Sequence, residues 1–189
     1  MNIFYLNNNP KTCAQMHNDS HCSKMIIEYA QLMSTAHRFL DGEKYYGKTA
    51  NGRKIARWLH PDPVMEATLY KASHVKHPSG IWTRKSKQNY RWLYSMWTEL
   101  NTEFMYRYNK NVPHESFRKL EKVLEEPPKH MYDSGFCEPY PAMPDDVKYD
   151  SSIKSYHEYY IKYKQHLAKW TKRGEPYWYG KERLELRTA

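Results

Sequence analysis

Apolar residues recur at three- and four-residue spacing from about Ser20 to Leu40. Cys22, Met25, Ile26, Tyr29, Leu32, Met33, Ala36 and Leu40 fall on one stripe of an α-helix, and Gly42 stands where a C-terminal cap would. A second stripe, Ile81, Trp82, Leu93, Met96, Trp97, Leu100, Phe104 and Tyr108, predicts a long helix over about 79–109. Pro113 and Glu115 introduce a shorter one that ends before Pro127-Pro128. Ile153, Tyr156, Tyr160, Tyr163, Leu167 and Trp170 predict a last long helix over about 151–173, with Gly174 after its end.

Between these stripes the pattern breaks. Residues 3–6 read as a short buried strand or an extended arm, and Asn7-Asn8-Asn9-Pro10 can open a short helix. Residues 43–73 carry Gly47, Gly52, Pro61 and Pro63 among Lys44, Lys48, Arg53, Lys54 and Arg57, and read as a basic loop with one or two short helices. Pro127, Pro128, Pro139, Pro141 and Pro144 make 127–150 an irregular crossing segment, and 174–189 is an aromatic and basic tail. The expectation is an all-α fold: residues 1–189 as one compact, irregular helical domain with three long helices, a shorter one and long loops.

Charge points to a partner. Thirty Lys and Arg face 21 Asp and Glu, a net charge of +9, and a surplus of that size favours polyanions through counterion release. Eighteen Tyr and six Trp in a chain of mean hydropathy −0.99 add faces on which unstacked bases can stack, although more than half of these rings are expected in the core. The expected partner is nucleic acid, with double-stranded DNA favoured. No obligate protein partner is evident and no cofactor is assigned. Cys13, Cys22 and Cys137 fit no zinc or disulfide spacing and read as reduced thiols. No run approaches a membrane span and residues 1–6 lack the regions of a signal peptide, so the expected location is cytoplasmic.

The candidate chemistry is polar. His17, His21, Lys24, Glu28, Gln31 and Thr35 fall four, three, four, three and four residues apart, which on a continuous helix lines them along one face. Such a face can transfer protons, hold a carboxylate beside an amine or grip a phosphate. An exposed face with one Lys24–Glu28 ion pair is the plainer reading. The metalloprotease motif is absent because Asn18 follows His17, and a metal set completed by Glu28 or His77 is a minor alternative, so no metal is assigned. A second group opens the next helix: His74, His77, Pro78, Trp82, Arg84, Lys85, Ser86 and Asn89. Either Trp82, Ser86 and Asn89 are satisfied core, or they face the first stripe, with Ser86 and Asn89 binding a base or sugar and Arg84 a phosphate.

The run Ala14-Gln15-Met16-His17-Asn18-Asp19-Ser20-His21-Cys22-Ser23-Lys24-Met25-Ile26-Ile27-Glu28 resembles the first helix of the phage endonuclease V type of pyrimidine-dimer DNA glycosylase. The run His77-Pro78 with Trp82, followed by aromatic helix to Tyr106-Arg107-Tyr108, is similar to the same family, as is the tail Trp178-Tyr179-Gly180-Lys181. The likeness covers about a third of the chain. It implies a helical fold acting at the glycosidic bond of a damaged pyrimidine, with the amine at the chain's N-terminus attacking the sugar C1′. The glutamate that partners the amine would by position be Glu28. Asn2 is a departure from the family: its bulk should keep Met1 in place, so the amine is that of Met1 or the side chain of Lys24. The resemblance puts His17 and His21 in the same site, and His77, Trp82, Arg84, Lys85, Ser86, Asn89, Trp178 and Lys181 against the nucleic acid. A nucleobase- or nucleotide-modifying enzyme on the same fold and a non-catalytic basic binding protein are the competing readings.

Overall fold

In the computed structural model of the protein, residues 1–180 are described. The chain is mostly helical: α1 (Pro10–Met16), α2 (Asp19–Asp41), α3 (Pro63–Thr68), α4 (Pro78–Thr83), α5 (Lys87–Arg107), α6 (Glu115–Leu124) and α7 (Ser152–Tyr163). Between α2 and α3 stands an antiparallel pair, β1 (Glu43–Lys48) and β2 (Lys54–Leu59), so the fold is not all-α.

Each of these helices begins on a side chain that accepts an N–H of its first turn. Asn9, Asn18, Asp62, Ser86 and Ser151 do so with oxygen. His77 and His114 do so with Nδ1, toward Ser79 and Ser116. Pro10, Pro63 and Pro78 occupy the first turns, where a missing N–H costs nothing.

The core forms where α2 crosses α5. Met25, Ile26, Tyr29, Leu32 and Met33 meet Leu93, Met96, Trp97 and Leu100, and the Trp97 indole donates to the Ile26 carbonyl at 2.8 Å. Residues 3–6 are a buried arm without strand pairing, pinned from three sides. Phe4 N–H donates to the Tyr29 hydroxyl (3.2 Å), Leu6 N–H to Cys13 Sγ (3.4 Å), and His157 Nε2 to the Leu6 carbonyl (2.9 Å).

Three expectations are corrected. The stretch 43–73 contains one short helix, α3, as expected, but its first part is a hairpin rather than a loop. Arg38, buried at the end of α2, ties it down by donating to the carbonyls of Trp58, Glu66, Leu69 and Tyr70 and pairing with Glu66. The helix expected over 79–109 is two. Arg84 leaves helical geometry and extended Ser86 starts α5 by accepting Gln88 N–H. The helix expected over 151–173 stops at Tyr163, after which a turn at Gln165–Leu167 lets Trp170 donate to the Met16 carbonyl (2.9 Å). Residues 127–150 are irregular apart from a turn at Asp145–Val147.

A buried ionic cluster ties the end of α1 to the start of α2. Arg107 donates to Glu103 (2.7 Å), Asp19 (3.1 Å) and the carbonyls of Gln15 (2.8 Å) and His17 (2.7 Å), while Arg173 takes both oxygens of Glu103 at 2.9 Å. Burial alone would raise the Glu103 carboxyl, but the two arginines hold it below its ordinary value. Cys13, Cys22 and Cys137 are unpaired thiols.

Candidate functional site around Met1 and Glu28

The buried arm delivers the chain's first residue to the face of α2. Ser79, at the start of α4, donates its hydroxyl to the Met1 carbonyl at 3.2 Å, and the Met1 side chain is 6% exposed. The Met1 amine then stands 3.8 Å from Glu28 Oε2, while Lys24 Nζ stands 3.4 Å from Oε1 of the same carboxylate. Glu28 thus lies between two amines, one packed and one two-thirds exposed. These groups border a small pocket of about 120 Å³, together with Phe4, His21, Tyr159 and Lys164.

His21 is fixed on two sides. Its ring stacks on Phe4 (centroids 4.1 Å apart, planes 19° from parallel), and Nδ1 bonds the Tyr160 hydroxyl at 2.6 Å. Among the described residues no hydrogen-bond partner occupies Nε2, the nitrogen left for the pocket. Burial, reinforced by the charges of His17, Lys164, Lys24 and His166, pushes His21 down to about 3. It therefore acts at neutral pH as an uncharged hydrogen-bonding group. His77 lies close enough to feel the Met1 amine: burial first, then the amine and His74, lower it, and only Glu28 opposes them.

The remaining sequence-selected residues are taken up elsewhere. His17 is not on α2; it caps the end of α1, fully buried, bonding the Cys13 carbonyl (2.8 Å) and the Tyr29 hydroxyl (3.0 Å). With both its nitrogens engaged, no metal set forms with His21 and Glu28 or His77, and among the described residues no three metal-ligating side chains converge at this pocket. Trp82 and Asn89 clamp Cys137 from both sides: the indole donates to its carbonyl (2.7 Å) and the Asn89 carbonyl accepts its N–H (3.0 Å). Ser86 bonds Asp133 (3.2 Å) and Ser134 N–H (3.3 Å). Arg84 donates to the Val75 carbonyl (2.7 Å) and lies 4.5 Å over the Phe39 ring. Lys85 is exposed and reaches the Tyr140 hydroxyl (3.1 Å). Trp178 is buried and stacks on His157 at 3.9 Å, so its face is not open to a base. Lys181 lies outside the described residues.

Sequence reasoning missed Ser79, Tyr159 and Lys164, which carry no motif and reach the pocket only through tertiary packing. It also missed the shape of the basic stretch. Alternation and register put Lys44, Tyr46, Lys48, Lys54 and Trp58 on one face of the hairpin. Lys54 lies 4.3 Å over the Tyr46 ring, and Lys44 lies over both Tyr46 (5.3 Å) and Trp58 (5.9 Å). Among the described residues no helix is long and apolar enough to cross a membrane.

Comparison with protein-family models, curated proteins and solved structures finds no match in any of the three.

Proposed function

We propose that the protein is a DNA glycosylase with lyase activity on damaged or distorted pyrimidine nucleotides, using the Met1 amine as nucleophile and Glu28 as its charge partner. The 3.8 Å approach of the Met1 amine to a half-buried carboxylate at a pocket wall carries this reading. Met1 suits the role better than Lys24 because it is packed and held by Ser79, whereas Lys24 must first order a long exposed chain.

The amine, having passed a proton to Glu28, attacks C1′ of a nucleotide drawn out of the stack. The C1′–base bond breaks with its electron pair going to the base, which takes up the proton held by Glu28 and returns that residue to its carboxylate form. Transfer of one of the two protons left on the nitrogen to the sugar ring oxygen, as the C1′–O bond opens, leaves a C1′ iminium that keeps the other. Removal of a C2′ proton then expels the 3′ phosphate and breaks the strand. Glu28 faces positive charge at each stage, where a fixed carboxylate stabilises the transition state more than the ground state. Neutral His21 supplies a hydrogen bond, and Lys24 and Lys164 supply charge for flanking phosphates.

The test is borohydride trapping on duplexes carrying an abasic site or a thymine dimer. A covalent adduct is expected, mapping to Met1, lost in Glu28→Gln and lost when one residue is added ahead of Met1. Absence of an adduct with salt-dependent binding retained overturns the lyase reading. Turnover of undamaged substrate would then favour base or nucleotide modification. The hairpin's cationic and aromatic face supports the remaining reading, a non-catalytic nucleic-acid-binding protein, in which Glu28→Gln changes nothing.

A further inference from the structure

A second, larger cavity of about 610 Å³ lies beyond the far end of α2, bounded by the His60–Met65 turn, the end of α6 and the chain around His130. His37 and Asp41 reach it from successive turns of α2, and His60 reaches it from the end of β2. One ligand atom from each of the three lies within 4.8 Å of the other two.

Both imidazoles are more than nine-tenths buried and both carry an unpartnered nitrogen, His37 Nδ1 and His60 Nε2. The Glu126 carbonyl lies near the His37 ring but outside hydrogen-bond geometry, so the proton positions on His37 follow from its bonded neighbour. Its Nε2 bonds the Tyr90 hydroxyl at 2.9 Å, and that hydroxyl donates its single proton to the Leu124 carbonyl at 2.9 Å. Tyr90 must therefore accept from Nε2–H, which leaves a lone pair on Nδ1. The Asp41 carboxylate is held in place by N–H donation from Lys129 (2.9 Å) and His130 (3.0 Å) and by the His130 ring (2.9 Å). A ligating nitrogen oriented through its opposite N–H, and a carboxylate oriented by further donors, are the outer supports that metal ligands require.

We propose that His37, Asp41 and His60 bind a divalent transition ion of the zinc class at the floor of this cavity. Two imidazoles and one carboxylate suit such an ion, whereas calcium and magnesium prefer all-oxygen shells. Ligand atoms around a tetrahedral zinc ion stand roughly 3.4 Å apart, so the three side chains must draw together by small rotations on loading. His37 already has the tautomer needed. His60 Nδ1 accepts the Asp62 N–H (3.1 Å), so its ring proton is on Nε2. Ion uptake moves that proton to Nδ1 and releases the Asp62 N–H to water at an exposed turn. Three protein ligands leave a fourth position open to a cavity of the size that small molecules occupy, the arrangement of a catalytic rather than a structural zinc. The site is nine residues beyond Glu28 on α2, about 13 Å along the helix axis, and stands independently of the amine chemistry.

The test uses the full chain, freed of metal with a chelator and titrated with Zn²⁺, with Co²⁺ as a spectroscopic substitute. One ion per chain is expected, with visible Co²⁺ bands of a four-coordinate site and a raised melting temperature. His37→Gln and His60→Gln should each weaken Zn²⁺ binding at least tenfold. Nitrogen-15 spectra of the unsubstituted chain provide a readout that does not depend on either variant folding. Zn²⁺ should move the His37 Nδ1 and His60 Nε2 resonances and leave those of His17 in place. Resonances that stay put, or Zn²⁺ affinity unchanged in folded variants, overturn the site.

Discussion

The ring of His17 donates through Nδ1 to the Cys13 carbonyl and accepts through Nε2 from the Tyr29 hydroxyl, which itself accepts the Phe4 N–H. A residue selected for proton transfer thus serves as a strut between α1, α2 and the arm that presents Met1. Burial, partly offset by the Cys13 carbonyl, pushes it from 6.5 down to about 4. The unfolded chain therefore binds a proton below pH 6.5 that the folded chain refuses until about pH 4. The stabilisation is fully present above pH 6.5 and is lost as pH falls through that window, on the order of 3 kcal/mol in total. Urea unfolding read at several pH values should give a free energy that declines with acidification. His21, His37 and His157, also lowered by burial, contribute in the same direction. Replacing His17 with Gln should reduce the slope near pH 5.5 by about 1.4 kcal/mol per pH unit, one proton's worth. An unchanged slope in the variant would mean that His17 is protonated in the folded state.

Gly42 shows at the level of elements what a pattern can and cannot convey. Its position after the apolar stripe predicts a helix end, and α2 does end there. The reason is not a left-handed cap, since Gly42 is extended at φ −95°. A Cβ would stand 2.5 Å from the Arg38 carbonyl oxygen and 2.9 Å from that of Leu59, because β2 passes directly over the junction. Gly42→Ala should therefore cost about 1–3 kcal/mol, measurable as a lower melting temperature, and should perturb hairpin amides before those of α5. The same contrast runs through the fold. Stripes such as Met25–Ile26–Tyr29 and Leu93–Met96–Trp97 declare their helices because each buries one continuous face. The hairpin escapes that reading because β1 is exposed almost throughout and the middle of β2 is half-buried without a break, so neither strand alternates cleanly. Glu28 and Lys24 were legible as neighbours one helical turn apart. Ser79 and Lys164 were not, being dozens of residues away and meeting the pocket only when α4 and the chain after α7 pack on α2.

Across the whole molecule, the positive charge is arranged rather than merely abundant. The pocket at Glu28 and the hairpin that begins at Glu43 are separated by fifteen positions, about 20 Å along the axis of α2, or roughly six base-pair steps of a duplex. If both engage one DNA, the pocket supplies the chemistry and the hairpin supplies phosphate contacts, which carry affinity without reading sequence. Each phosphate neutralised contributes about 0.9 to the slope of log affinity against log salt. Replacing Lys44, Lys48 and Lys54 with Gln should lower that slope by about 2.7, measured by fluorescence anisotropy on a duplex from low to moderate salt. A matched pair of substitutions, Lys148→Gln and Lys162→Gln, removes cations already paired with Asp145 and Asp146 and should leave the slope nearly intact. Equal losses per charge removed in the two sets would mean that DNA responds to net charge alone, and the hairpin would then have no special role. A loss confined to the hairpin, with abasic-site trapping retained at low salt, would assign the chemistry to the middle of α2 and the grip to the hairpin beyond its end.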